Sequence, residues 1–145
     1  MMRNRAIQDE VLGWLEVRSN GWIVGSLVVQ GEKVPFGIAI VSDVEDDWQV
    51  GLQLTRRLWA SLENSELEFR QNISQELLDT LSECDDDLGI ADVVEQLRLC
   101  RIEVEIGDGE SCLAKVMYSA DELLESRLAC AYVDDSLRIE SVMVE

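Results

Sequence analysis

Arg101-Ile102-Glu103-Val104-Glu105-Ile106 decides the fold of this chain. Charged and β-branched residues alternate strictly here, the period of a strand with one face in a core and the other in water. The strand runs into a Gly107-Asp108-Gly109 turn, and Cys112 to Tyr118 returns as its hairpin partner. Further on, Ser119-Ala120-Asp121-Glu122 fits a capping box for about one helical turn, Leu128 to Val133 extends again, and Asp134-Asp135-Ser136 turns into Leu137 to Val144.

Upstream of Arg101 the period is helical. An aspartate at Asp46 or Asp47 can cap a helix with apolar positions at Trp48, Leu52, Trp59 and Leu62. Ser65-Glu66-Leu67-Glu68 fits a second capping box, and Phe69, Ile73, Leu77 and Leu81 then recur every fourth residue. Asn72-Ile73-Ser74 is a point where this helix either breaks or restarts. After Cys84-Asp85-Asp86-Asp87, the apolar positions Ile90, Val93, Val94 and Leu97 predict a short third helix.

Three apolar segments precede the helices. Val11 to Arg18 reaches a Ser19-Asn20-Gly21 turn, Trp22 to Val29 follows, and Gly31-Glu32-Lys33 leads into Val34 to Val41. Short connections between β-branched and aromatic runs predict an antiparallel meander. Pro35 belongs at the beginning or edge of its strand, because it has no N–H to give a neighbour. Strands, then helices, then strands define an α+β fold rather than a parallel βαβ one. We therefore expect one domain over residues 1–145, an antiparallel sheet built from the N-terminal meander and C-terminal hairpins, with two to three helices from the middle packed on it.

The composition narrows function. Thirty acidic residues against twelve basic ones give a formal charge of −18, and there is no histidine. Histidine is the commonest general base near neutral pH and the commonest protein metal ligand, so most triad, hydrolase and zinc chemistries lose their usual residue. An apolar fraction of 47% separates the chain from disordered acidic tails. Met1 to Glu10 has two arginines but no apolar run behind them, and no segment approaches the ~20 apolar residues of a membrane span. The expectation is a cytoplasmic protein repelled by nucleic acid and by anionic membranes.

Cys84, Cys100, Cys112 and Cys130 are widely spaced, with no C-x-x-C pair, and are expected to be buried free thiols. Asp85-Asp86-Asp87-Leu88-Gly89 resembles the start of a calcium loop, but its sixth and twelfth positions hold Ile90 and Gln96 instead of glycine and glutamate. Glu103 and Glu105 share a strand face as a glycosidase pair might, with no polar pocket residue assignable to them from sequence. Gly107-Asp108-Gly109 lacks the Gly-Lys-Ser/Thr ending of a phosphate loop. Asn72-Ile73-Ser74 matches a glycosylation acceptor without the signal peptide that would make it relevant. No catalytic residue, metal or cofactor is assigned.

Trp14, Trp22, Trp48 and Trp59 are each expected in the core, with one to watch. Glu45-Asp46-Asp47 precedes Trp48, and an acidic rim around an aromatic anchor suits a basic partner. The candidate contacts are Asp43, Glu45, Asp46, Asp47, Trp48, Asp85, Asp86 and Asp87.

The order of elements, and above all Asp121-Glu122-Leu123-Leu124-Glu125-Ser126-Arg127, Leu128 to Val133, Asp134-Asp135 and Leu137 to Val144, resembles the bacterial family known as domain of unknown function 2262. Leu12-Gly13-Trp14-Leu15 is similar to that family's opening strand. Where the family tends to show Gly-His, this chain has Ser126-Arg127, so no role of that histidine carries over. The resemblance implies a fold more than an activity, and related small acidic families include immunity proteins that neutralise toxins. The functional expectation is a non-catalytic binding protein, concretely an immunity-type inhibitor of a basic, nuclease-like toxin. An accessory domain whose acidity serves solubility is the alternative, and an enzyme working through carboxylates comes third.

Overall fold

The computed structural model describes residues 5–18, 21–39, 45–81, 89–106 and 112–145, with side chains for all of these except 5 and 45–48. Eight strands form one sheet in the order in which they occur: β1 Arg5–Asp9, β2 Gly13–Val17, β3 Trp22–Val29, β4 Glu32–Ala39, β5 Arg98–Ile106, β6 Cys112–Ser119, β7 Leu128–Val133 and β8 Ile139–Val144. Three helices, α1 Glu45–Leu81, α2 Ile90–Gln96 and α3 Asp121–Leu124, complete the α+β fold.

Every neighbouring pair is antiparallel except one. β4 and β5 run parallel, with Phe36–Ala39 in register with Ile102–Glu105. The reason is the connection: α1 and α2 carry the chain back to the starting end of the sheet, as parallel pairing requires. The expected α+β meander thus contains one parallel crossover unit at its centre. Pro35 lies just before this pairing begins, opposite Ser26 of β3, so its missing N–H costs the β5 ladder nothing.

α1 packs along the sheet against β3, β4, β5, β6 and β8, and α2 packs on α1. The sheet residues facing it follow the strand period: Ile23, Leu27 and Val29, then Val34, Phe36 and Ile38, then Ile102, Val104 and Ile106, then Ala114, Val116 and Tyr118, all buried. Leu52, Leu58, Leu62, Ile73 and Leu77 supply the matching stripe of α1. Gly51 sets how close the helix comes. A Cβ there would lie 2.7 Å from Ile38 Cγ2 and 3.1 Å from Ile106 Cδ1, so the glycine seats α1 directly over the parallel seam.

The predicted restart at Ser65 is a kink within α1, where Ser65 alone leaves helical geometry (φ −141°, ψ 28°). Asn72-Ile73-Ser74 does not break the helix, and the Ser74 hydroxyl donates to the Arg70 carbonyl at 2.8 Å. Past the kink, Arg70 pairs with buried Glu66 at 3.3 Å and donates to the Val94 carbonyl at 3.2 Å, tying α1 to the end of α2. Burial and the nearby Glu66 carboxylate raise the Tyr118 phenol far above its ordinary pKa.

Several strand boundaries differ from expectation, β2 being Gly13–Val17 and β5 beginning already at Arg98. β1 is an additional edge strand, with Ile7 as its apolar contribution to the core. The β3–β4 turn is the two residues Gln30 (φ 50°) and Gly31 (φ 85°), so Glu32 and Lys33 are already in β4. β8 starts at Ile139 rather than Leu137. The Asp134 carboxylate accepts from the Ser136 and Arg138 backbone N–H groups at 2.9 Å each, and Leu137 takes a left-handed conformation (φ 65°) inside that turn. The predicted Gly107-Asp108-Gly109 turn, Cys84, Ile40 and Val41 lie outside the described residues.

Asp9 anchors the first hairpin to the helix. It is only 6% exposed, one oxygen accepts from the Val11 and Leu12 N–H groups at 2.9 Å each, and both oxygens pair with the Arg56 guanidinium. The Arg56 hydrogen bond, outweighing burial, holds the Asp9 carboxyl down at about 2.

Candidate partner-binding face

Side chains alternate across a strand, so the residues between the core positions point to the opposite side of the sheet. No helix among the described residues covers that side. The register aligns them in rows across the strands. One row runs Val24, Gly37, Glu103, Lys115, Tyr132 and Ser141, and the next runs Trp22, Ala39, Glu105 and Leu113. Trp14 and Glu16 extend the face onto β2.

Two hollows mark this face. A cleft of about 600 Å³ runs past Trp14, Glu16, Arg18, Ser26, Lys33 and Arg101. Beside it, a cavity of about 240 Å³ is walled by Trp22, Ala39, Leu113 and Tyr132 and carries Glu103, Glu105 and Lys115. Trp22 is held by the absence of a neighbour's side chain: a Cβ on Gly37 would sit 2.9 Å from Trp22 Cε3, with an Arg101 terminal nitrogen 3.5 Å away. The small residues Gly37 and Ala39 therefore form the floor on β4.

Most charges on the face are paired. Arg101 Nε lies 3.1 Å from Glu103 Oε1, Arg18 Nε lies 3.9 Å from Glu16 Oε1, and Lys115 Nζ lies 3.3 Å from Glu145 Oε1. The Tyr132 hydroxyl donates to the second Glu145 oxygen at 2.6 Å, and the Lys115 ammonium stands 5.7 Å from the Tyr132 ring centre. Tyr132 as donor, ahead of burial, keeps the Glu145 carboxyl below its ordinary value. Burial lowers Lys115, but Glu145 and Tyr132 outweigh it and leave the ammonium raised. Among the described residues, no hydrogen bond or ion pair engages the Glu105 carboxylate.

The arrangement offers recognition surface rather than reaction geometry. Glu103 is committed to Arg101, so Glu103 and Glu105 are not two equivalent carboxylates facing each other across a cleft. Among the described residues no three of Cys, Asp and Glu converge as metal ligands. Cys100, Cys112 and Cys130 are free thiols, and burial pushes Cys112 and Cys130 up to about 11 and raises Cys100 as well. No described helix is long and apolar enough to cross a membrane.

Of the contacts predicted from sequence, Asp43, Asp85, Asp86 and Asp87 lie outside the described residues. Glu45, Asp46, Asp47 and Trp48 form the first turn of α1, and their side chains lie outside the described set. The tryptophans divide. Trp59 packs against the core and donates from Nε1 to the Val28 carbonyl at 2.8 Å, whereas Trp14 is 69% exposed and Trp22 is half-buried on the open face. The available signal was that β3 and β6 carry apolar residues on both faces, Trp22 and Val24 in one and Leu113 and Met117 in the other.

The fold and this face define a small acidic α+β protein with one sheet face that no described helix covers. Compared with known protein families, curated proteins and solved structures, the chain matches none.

Proposed function

We propose that this protein is a non-catalytic binding protein that captures a basic protein partner on the helix-free face of its sheet. One observation carries the reading: an eight-stranded sheet buries one face under α1 while no described helix covers the other, with Trp14 exposed, Trp22 half-buried and two adjoining hollows between them and Tyr132. Aromatic anchors beside pockets are the usual centres of protein interfaces. Their own charges are largely paired, so docking there does not require stripping many unpaired carboxylates of water.

The charge of −18 supplies the approach. Nucleases and similar toxins need positive surface to hold phosphate, and a folded polyanion is drawn to that surface from a distance. Asp43, Glu45, Asp46, Asp47 and Asp85 to Asp87 steer in this account, while the sheet face docks. The immunity-type role is the concrete form of the proposal. It is supported by the charge of −18 and by the aromatic-lined hollows of the sheet face.

Capture from the source cell at about 50 and about 500 mM salt tests the reading. A basic protein retained at low salt and released at high salt is the expected result. Failure to retain any basic protein removes the binder reading in favour of the accessory-domain alternative.

A further inference from the structure

We infer that the cavity between Trp22 and Tyr132 receives one arginine side chain of the basic partner, with Glu105 as its counter-ion. The inference rests on the binder reading and adds the chemistry of recognition. Charge accounting on the open face comes first. Arg18, Arg101 and Lys115 each have a glutamate partner in Glu16, Glu103 and Glu145, Lys33 lies outside the cavity at the cleft of about 600 Å³, and Glu105 is left as a carboxylate with no partner among the described residues. It lines a cavity of about 240 Å³ between Ala39 and Leu113, its neighbours in register. An anion entering there meets two glutamates, and the one lysine able to offset them is already bonded to Glu145.

The walls favour arginine over other cations. Trp22 and Leu113 offer apolar surface to a methylene stem, and an indole attracts a guanidinium by both its face and its quadrupole. A planar guanidinium is also more weakly hydrated than an ammonium, so it gives up less on entering a half-enclosed site and can pair two donors with one carboxylate. Arg101 lies close by: its terminal nitrogen and the Trp22 ring both approach the space over Gly37, while its Nε meets Glu103. A second copy of this chain is a poor source of the arginine, because two molecules of charge −18 repel.

The probe is N-acetyl-arginine methylamide, titrated into 15N-labelled protein and followed by amide and indole N–H shifts, with the neutral citrulline analogue as control. Saturable shifts clustered at the Trp22 indole, Glu105 and Leu113, absent with citrulline and weakened about threefold in Glu105→Gln, are expected for an exposed pair. Shifts scattered over the acidic surface without saturation, equal shifts with citrulline, or indifference to Glu105→Gln overturn the assignment. Lys115→Gln removes the one lysine in the cavity and should tighten binding, which gives a second reading if Glu105→Gln perturbs the spectrum generally. Localised arginine binding with no basic partner recovered leaves the cavity assignment standing and removes the binder reading. A salt-sensitive partner indifferent to Glu105→Gln does the reverse.

Discussion

The six-membered ring of the Trp22 indole occupies the space that a side chain at position 37 would fill. Gly37 is directly opposite Val24 and one step along β4 from Ile38, so this contact is on the far side of the sheet from α1. It makes a tryptophan part of an open surface while holding it in place. Aromatic anchors ordered before a partner arrives lose less freedom on binding. Replacing Gly37 with valine should push the indole out of its seat and change its fluorescence, with the far-ultraviolet circular dichroism unchanged. An emission spectrum identical to that of the parent would contradict the contact.

Acid should release the first hairpin. Asp9 has its pKa at about 2 in the folded chain, against an ordinary value near 3.8. A depressed carboxyl stabilises the fold above the unfolded value, and the contribution disappears as pH falls from about 4 through about 2. At neutral pH it is worth about 2 kcal/mol. Asp9→Asn should lose at least that much by denaturant unfolding at pH 7, since it leaves Arg56 without its partner, and the gap from the parent should narrow toward pH 2. A gap that does not change with pH would mean that the carboxylate charge is not what stabilises the hairpin.

Helix seating is equally specific. Gly51→Ala gains about 1 kcal/mol of helix propensity but places a methyl 2.7 Å from Ile38 Cγ2, where the β-branched side chain cannot swing aside. We expect a net loss of about 1 kcal/mol or more in chemical denaturation. A more stable variant would show that α1 can lift off the parallel seam at little cost.

The thiols should be silent in the folded protein. With Cys112 and Cys130 buried and held at about 11, very little thiolate exists at pH 8. Peptide mapping after brief alkylation should find both unmodified, and both modified once denaturant is added. Rapid native labelling of either would contradict the burial.

Approach and docking should separate kinetically. Raising salt from about 50 to about 500 mM should slow association with a basic partner strongly, because screening shortens the range of attraction, while dissociation changes less. Reversing Asp46 and Asp47 to lysine should slow association further, at a stability cost of about 1 kcal/mol for acidic residues lost from the positive end of the α1 dipole. Association rates indifferent to both changes would contradict steering.

Sequence periodicity exposed most of the fold and little of the site, for a physical reason. Ile102, Val104 and Ile106 alternate with charged residues because one face meets α1, and the Ser65 capping box marks the kink because a helix start is a local feature. The parallel β4–β5 pair is different. It depends on where the crossover delivers the chain, which no short stretch records. β1 is short and polar enough to pass for a tail, and its Asp9 gains meaning only from Arg56, 47 residues away. The open face is assembled from seven strands, β2 to β8, so Trp22, Glu105 and Tyr132 become neighbours only through register. Acidic runs such as Asp85 to Asp87 stand out in sequence because they are contiguous, whereas a surface made from single residues does not.

The most direct test compares two exposed hydrophobic positions on opposite sides of the molecule, Trp14 on the open sheet face and Leu67 on α1, which are 69% and 49% exposed. Affinity for a captured basic partner should be measured by surface plasmon resonance for Trp14→Ala, Trp22→Ala and Leu67→Ala, each checked for an unchanged melting curve. Binding through the helix-free face predicts that at least one tryptophan variant loses tenfold or more, about 1.4 kcal/mol, while Leu67→Ala binds like the parent. Full affinity in both tryptophan variants, or a loss confined to Leu67→Ala, would contradict it.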